Sequence, residues 1–109
     1  AALKTKVKIE KLKVTLALDN FIMPQDDLPE DVRGSITHWS QWIDYWAVDW
    51  NFKDDTFHNE WQSYRTKQSP KIELSSSRTY EKKGKYEIIV KVIDILGNDT
   101  TKSLQIELK

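Results

Sequence analysis

An antiparallel all-β sandwich of about seven strands is the fold this chain predicts, and three observations carry it. Segments in which every second residue is apolar recur along the 109 residues, the mark of strands that bury one face. Clusters of Asp, Asn, Gly, Pro and Ser separate these segments, as turns do. Helical periodicity is confined to one short stretch.

The elements follow in order. Residues 3 to 18 alternate in two phases, Leu3, Val7 and Ile9 on odd positions and Leu12, Val14, Leu16 and Leu18 on even ones. A phase change without a turn signal predicts a bulge, or a strand that switches sheets, near Glu10 and Lys11. Residues 19 to 31 contain Pro24, Pro29 and five acidic side chains with no sustained period, and predict a loop. Val32, Ile36, Trp39 and Ile43 then recur at helical spacing, so a short helix is expected near residues 29 to 41, kept short by Gly34 and the β-branched residues.

From Trp42 the even positions carry Trp46, Val48, Trp50 and Phe52, the better core face of a strand. "KDDT" predicts a turn, and "FHNEWQSYRT" a returning strand that completes a hairpin. "IELSSS" predicts a short edge strand. The strongest strand signal is "YEKKGKYEIIVKVID", with Tyr86, Ile88, Val90 and Val92 on one face after a turn at Gly84. "ILGNDT" turns the chain again, and Leu104, Ile106 and Leu108 alternate to the end.

Composition bounds the function. The length suits one domain, residues 1–109, with a modest core. Lys plus Arg and Asp plus Glu each total 17, so no net field draws the molecule to nucleic acid or an anionic membrane, and such binding would need a local patch. No apolar run approaches the ~20 residues of a membrane helix, and no membrane partner is expected. The absence of cysteine removes thiolate chemistry and fits a reducing compartment, so a cytoplasmic setting is expected. Opening on a strand pattern without an initiator methionine suggests a piece of a larger protein.

Two stretches, "WNFKDDT" from Trp50 to Thr56 and "TYEKKGKYEIIVKVIDILGN" from Thr79 to Asn98, resemble the W-D-F-G-D-G-T and T-Y-x-x-x-G-x-Y-x-V-x-L-x-V-x-D-x-x-G-N patterns of the polycystic-kidney-disease-type (PKD) domain. That resemblance implies an immunoglobulin-like sandwich, of a kind common in secreted enzymes and adhesins, and a Tyr80 hydroxyl tied to backbone as in a tyrosine corner. Asn51 replaces the pattern's Asp, and Lys53 and Asp55 replace its glycines, which removes the basis for calcium there. A narrower likeness joins "THWSQWIDYWAVDWNF", "DTFHNEWQSYRTK" and "GNDTTK": this combination resembles the C-terminal region of bacterial adenine-specific DNA methyltransferases of restriction-modification type. It implies an accessory domain that docks to its own catalytic domain, a partner subunit or DNA. The methyltransferase's own D/N-P-P-Y motif and glycine-rich loop are not in this chain, which has 3 glycines.

The chemistry-bearing residues divide the same way. His58 stands near Asp54, Asp55, Asn59 and Glu60, but the spacing matches no metal-ligand loop and reads as a polar turn. Ser75 to Ser77 read as a solvated strand end, and no catalytic residue, metal or cofactor is assigned. Trp46, Trp50 and Phe52 are expected to pack against Tyr86, Ile88 and Val90. Trp39, Trp42, Tyr45, Trp61 and Tyr64 exceed what so small a core holds, so some should face outwards. Trp61, Tyr64, Arg65 and Lys67 combine aromatic faces with cations and are the candidate binding residues. The leading expectation is a non-catalytic accessory module, with DNA as one partner it could take. The alternative is a carbohydrate- or protein-binding module of a secreted enzyme or adhesin.

Overall fold

The computed structural model describes residues 2–22, 38–53, 56–64 and 72–109. Two antiparallel sheets face each other. One has the order β1-β2-β5, from β1 (Ala2–Glu10), β2 (Lys13–Ile22) and β5 (Ser75–Thr79). The other has the order β4-β3-β6-β7, from β3 (Ile43–Asp49), β4 (Trp61–Tyr64), β6 (Gly84–Asp94) and β7 (Asp99–Leu108). This is the sandwich that the alternating pattern predicts, with immunoglobulin-like layering of three strands on four.

The phase change near Lys11 proves to be a turn. β1 and β2 form a hairpin with Glu10 opposite Lys13, closed by Lys11 and Leu12, and Lys11 adopts φ 56°. A positive φ at the first of two turn residues favours glycine, so the lysine hides the turn from a composition-based reading. The bulge lies further on: Lys4 pairs with Asn20 but Thr5 with Leu18, leaving Asp19 unmatched. That extra residue flips the phase, so Leu18 and Phe21 are both buried. β2 therefore runs to Ile22, through the first residues of the predicted loop. Residues 29–37 of the predicted helix lie outside the described residues. Its last residues, with Trp42, form a 3₁₀ helix, Trp39–Trp42, capped by the His38 side chain accepting from the Ser40 amide.

The returning strand of the β3–β4 hairpin is shorter than its pattern suggests, Trp61–Tyr64 alone, and β5 begins at Ser75 where Ile72 was expected to start an edge strand. β6 and β7 match their alternation, with Ile88, Val90, Val92, Ile106 and Leu108 buried and the register unbroken from Gly84–Leu108 to Ile93–Asp99.

Four side-chain links join the two layers among the described residues, three of them along β5 and its flanks. The fully buried Trp46 donates its indole N–H to the Glu73 carbonyl, 2.7 Å, and packs edge-on against Trp61 at 4.6 Å. The Arg78 guanidinium meets Glu60 at 2.6 Å, and the other Glu60 oxygen accepts from the Trp50 amide at 3.1 Å. Tyr80, 5 % exposed, donates its hydroxyl to the Trp50 carbonyl at 2.5 Å. The tyrosine-corner expectation is met in kind, but the partner lies across the sandwich, 30 residues upstream. At the opposite end the Lys102 ammonium, directed inwards from β7, donates to the Leu3 carbonyl of β1 at 3.3 Å. β1 starts at that end and β7 finishes at the Trp50–Tyr80 end.

Two outcomes test this account. Tyr80→Phe leaves a buried carbonyl short of its donor, and the loss expected from urea denaturation is about 1–3 kcal/mol. Burial also pushes the Tyr80 phenol from 10.0 up to about 12. The stability this proton contributes is complete below the unfolded value and is lost as pH rises through the folded one. The wild type should therefore weaken as pH climbs from 10.0 towards about 12 more than Tyr80→Phe does. Separately, Lys11→Gly relieves the left-handed position and should raise the unfolding free energy by roughly 0.5–1 kcal/mol.

Candidate binding surface

Strand parity decides which aromatic side chains meet solvent. Trp46 and Val48 of β3 point inwards with Val90 and Val92 of β6, so Tyr45, Ala47 and Asp49 point to the outer face of the four-stranded sheet. β4 pairs Trp61 with Val48 and Tyr64 with Tyr45. Trp61 is therefore on the inner side, packed against the core, while Tyr64 faces out at 55 % exposure. The two β4 candidates lie on opposite faces of one strand, and Arg65 and Lys67 lie outside the described residues. Of the other surplus aromatics, Trp42 is buried, Trp39 packs partly buried against the core, and Tyr45 is half-buried on the outer face. Trp50 and Val90 are core, as expected.

The polar residues near this face hold the backbone together. Asp49 is fully buried although it points outwards. Its Oδ1 accepts from the Asn51 amide at 3.0 Å and its Oδ2 from the His58 amide at 2.8 Å, which folds the segment after β3 back over the sheet. Phe57 in that segment lies 4.9 Å from the Lys91 ammonium on the outer face of β6. The His58 ring is mostly exposed, with Nδ1 3.7 Å from Asp49. Asp54 and Asp55, the other acids near His58, lie outside the described residues, and among the described residues no three His, Asp or Glu side chains gather as a metal site. Asp94 repeats the Asp49 arrangement in the β6–β7 turn, its Oδ1 accepting from the Leu96 and Asn98 amides at 2.9 and 3.0 Å, with Gly97 at φ 85° supplying the left-handed residue that the turn needs.

The surface of the described residues includes two depressions beside these strands. The larger, about 620 Å³, lies between Phe52, Lys53 and the outer sides of β6 and β7. Two of its lining side chains are engaged by neighbours: Glu87 accepts from the Ser103 hydroxyl at 2.6 Å and the Tyr86 hydroxyl donates to the Lys82 carbonyl at 2.7 Å. The smaller, about 420 Å³, is lined by Asp44, Tyr45, Asn59, Gln62 and Tyr64. It exists because the β3 register slips between Ile43 and Tyr45, which turns Asp44 out beside the Tyr45–Tyr64 pair. Asn59 donates to Gln62 at 2.6 Å, fixing both amides at its edge. Tyr64 was legible as a surface residue from sequence. Tyr45 was legible only as one of the surplus aromatics, and Asp44, Asn59 and Gln62 were not legible, because only the register slip and the β3–β4 pairing bring them together.

No protein-family model and no curated protein sequence matches the chain. Solved structures do. The PKD1 domain from the Vibrio cholerae metalloprotease PrtV aligns with a TM-score of 0.56 at 16% identity, covering 98% of this chain and 94% of that one. The PKD1 domain of Vibrio anguillarum Epp aligns with a TM-score of 0.51 at 18% identity, covering 99% and 94%. The fold is thus that of a PKD domain across nearly the whole chain, and nothing here supports the methyltransferase resemblance.

The aspartates give a measurable check. Asp49→Asn and Asp94→Asn each set an amide group where a carboxylate served backbone donors, and each should lower the urea-denaturation free energy by about 1–3 kcal/mol. For Asp49→Asn the exchange protection of the Asn51 and His58 amides should fall with it.

Proposed function

We propose that this domain is a non-catalytic accessory module of a larger bacterial protein, which binds its ligand or partner through the outer face of the four-stranded sheet around Tyr64. The observation that carries this reading is the division of labour among the side chains. Buried carboxylates that could serve as acids or bases are spent on backbone amides, while on the outer face the Tyr45–Tyr64 pair stands beside the exposed Asp44 with its polar groups uncommitted to the backbone. The likeness to a PKD1 domain of a metalloprotease supports the secreted-enzyme version of this reading over a DNA-modifying one, with a setting outside the cytoplasm and no cofactor of its own. Arg65 and Lys67 follow Tyr64 in sequence and lie outside the described residues, while Trp61 packs on the inner side of the same strand.

The purified chain should show neither hydrolytic nor methyl-transfer turnover. Titration with labelled duplex and single-stranded DNA separates the two settings: no saturable binding is expected at low or at physiological salt. Tight binding that collapses as salt rises, the mark of phosphate contacts, would return the domain to a nucleic-acid role.

A further inference from the structure

Resting on the reading of this domain as a binding module, we propose that the depression formed by Asp44, Tyr45, Asn59, Gln62 and Tyr64 takes a segment of a neutral polysaccharide. The surface holds the two kinds of group that a sugar chain requires. Tyr45 and Tyr64 are directly paired across β3 and β4 on the solvent side, and aromatic rings stack on the C–H faces of pyranoses. Neither phenolic hydroxyl has an intramolecular partner among the described residues, nor does the exposed Asp44 carboxylate, so one acceptor-only group and two donor–acceptor groups are free to meet hydroxyls. Asn59 and Gln62 hold each other at 2.6 Å, and their remaining amide positions form a fixed edge suited to neighbouring hydroxyls.

Other ligand classes fit less well. Phosphate-bearing polymers meet a carboxylate here and no cation among the lining residues. A purely apolar ligand would strand the unpaired carboxylate and hydroxyls. The depression is shallow and lies on the flank of the sheet, so it suits a chain laid across it more than a single enclosed sugar.

The test uses the purified chain, calorimetric titration with soluble neutral hexasaccharides (β-1,4-linked glucose, β-1,4-linked N-acetylglucosamine, α-1,4-linked glucose), and retention on insoluble cellulose and chitin. At least one of these should bind, and molar salt should leave its affinity unchanged. Tyr64→Ala and Tyr45→Ala should each weaken it by at least about tenfold, and Asp44→Asn by several-fold. Lys83→Ala, at the far end of the sandwich, should have no effect. Tyr64 is exposed, so Tyr64→Ala should keep the wild-type denaturation midpoint and any loss is not misfolding. Binding to the insoluble polymers alone assigns the site to polymer surfaces; binding to the hexasaccharides as well assigns it to single chains. The proposal is overturned if the folded wild type holds none of these saccharides, or if Tyr45→Ala and Tyr64→Ala leave the binding untouched. If no saccharide binds but Tyr64→Ala in the full-length protein still impairs its assembly or activity, the saccharide assignment falls while the module reading stands. If deleting the domain changes neither, the module reading falls.

Discussion

The buried Trp46 indole is the interaction on which the arrangement of the two sheets depends. A fully enclosed N–H must find an acceptor or cost free energy comparable to a lost hydrogen bond, and the only way this one does so is by reaching the Glu73 carbonyl on the approach to β5. The Glu73 amide in turn donates to the Ser63 hydroxyl of β4 at 2.9 Å, and the next carbonyl, that of Leu74, accepts from the Leu18 amide of β2 at 2.8 Å. One short stretch of chain is thereby bound to both layers, and β5 is left no freedom to slide along β2. Glu60, Arg78 and the Tyr80 hydroxyl repeat the device at the far end of the same strand.

With the layers locked from within, the outer face of the four-stranded sheet is free to vary. Part of that face is covered by the segment that Asp49 folds back, which explains why Ala47 and Ile89 are buried although their parity is outward. The part beyond the reach of that segment is where Tyr45 and Tyr64 stand. Structural use of a carboxylate at one residue of β3 and exposure of an aromatic surface four residues earlier are thus two results of one loop conformation.

How much of this the chain announces in advance depends on whether the signal is local. Alternation in β6 and β7 is uninterrupted, and the Asp94–Asn98 turn carries its own Gly97 and its own side-chain acceptor, so those elements were legible residue by residue. The Lys11 turn was not, because a lysine occupies the position where a glycine would have marked it. The β2 bulge was hidden for a related reason: Asp19 and Asn20 read as loop residues, and only the buried Phe21 beyond them shows that the strand continues. The candidate site was half legible. An exposed tyrosine after a strand of mixed polarity can be suspected, but that Trp61 and Tyr64 part company, and that Asp44 and Tyr45 join the latter, follows from strand pairing and a register slip, which are properties of two segments at once.

The placement of the strand ends carries a mechanical consequence. β1 sets out from the end of the molecule where Lys102 grips Leu3, and β7 finishes at the other, so the two border strands run in the same direction along a body 48 Å long. Tension applied between the start of β1 and the end of β7 would act along both strands and load the layers in shear. It would not peel one strand away at a time. Joined in line with other domains, such a unit behaves as a strut that adds length to the string while its tyrosine-bearing flank, on the outer face of the sheet, looks sideways.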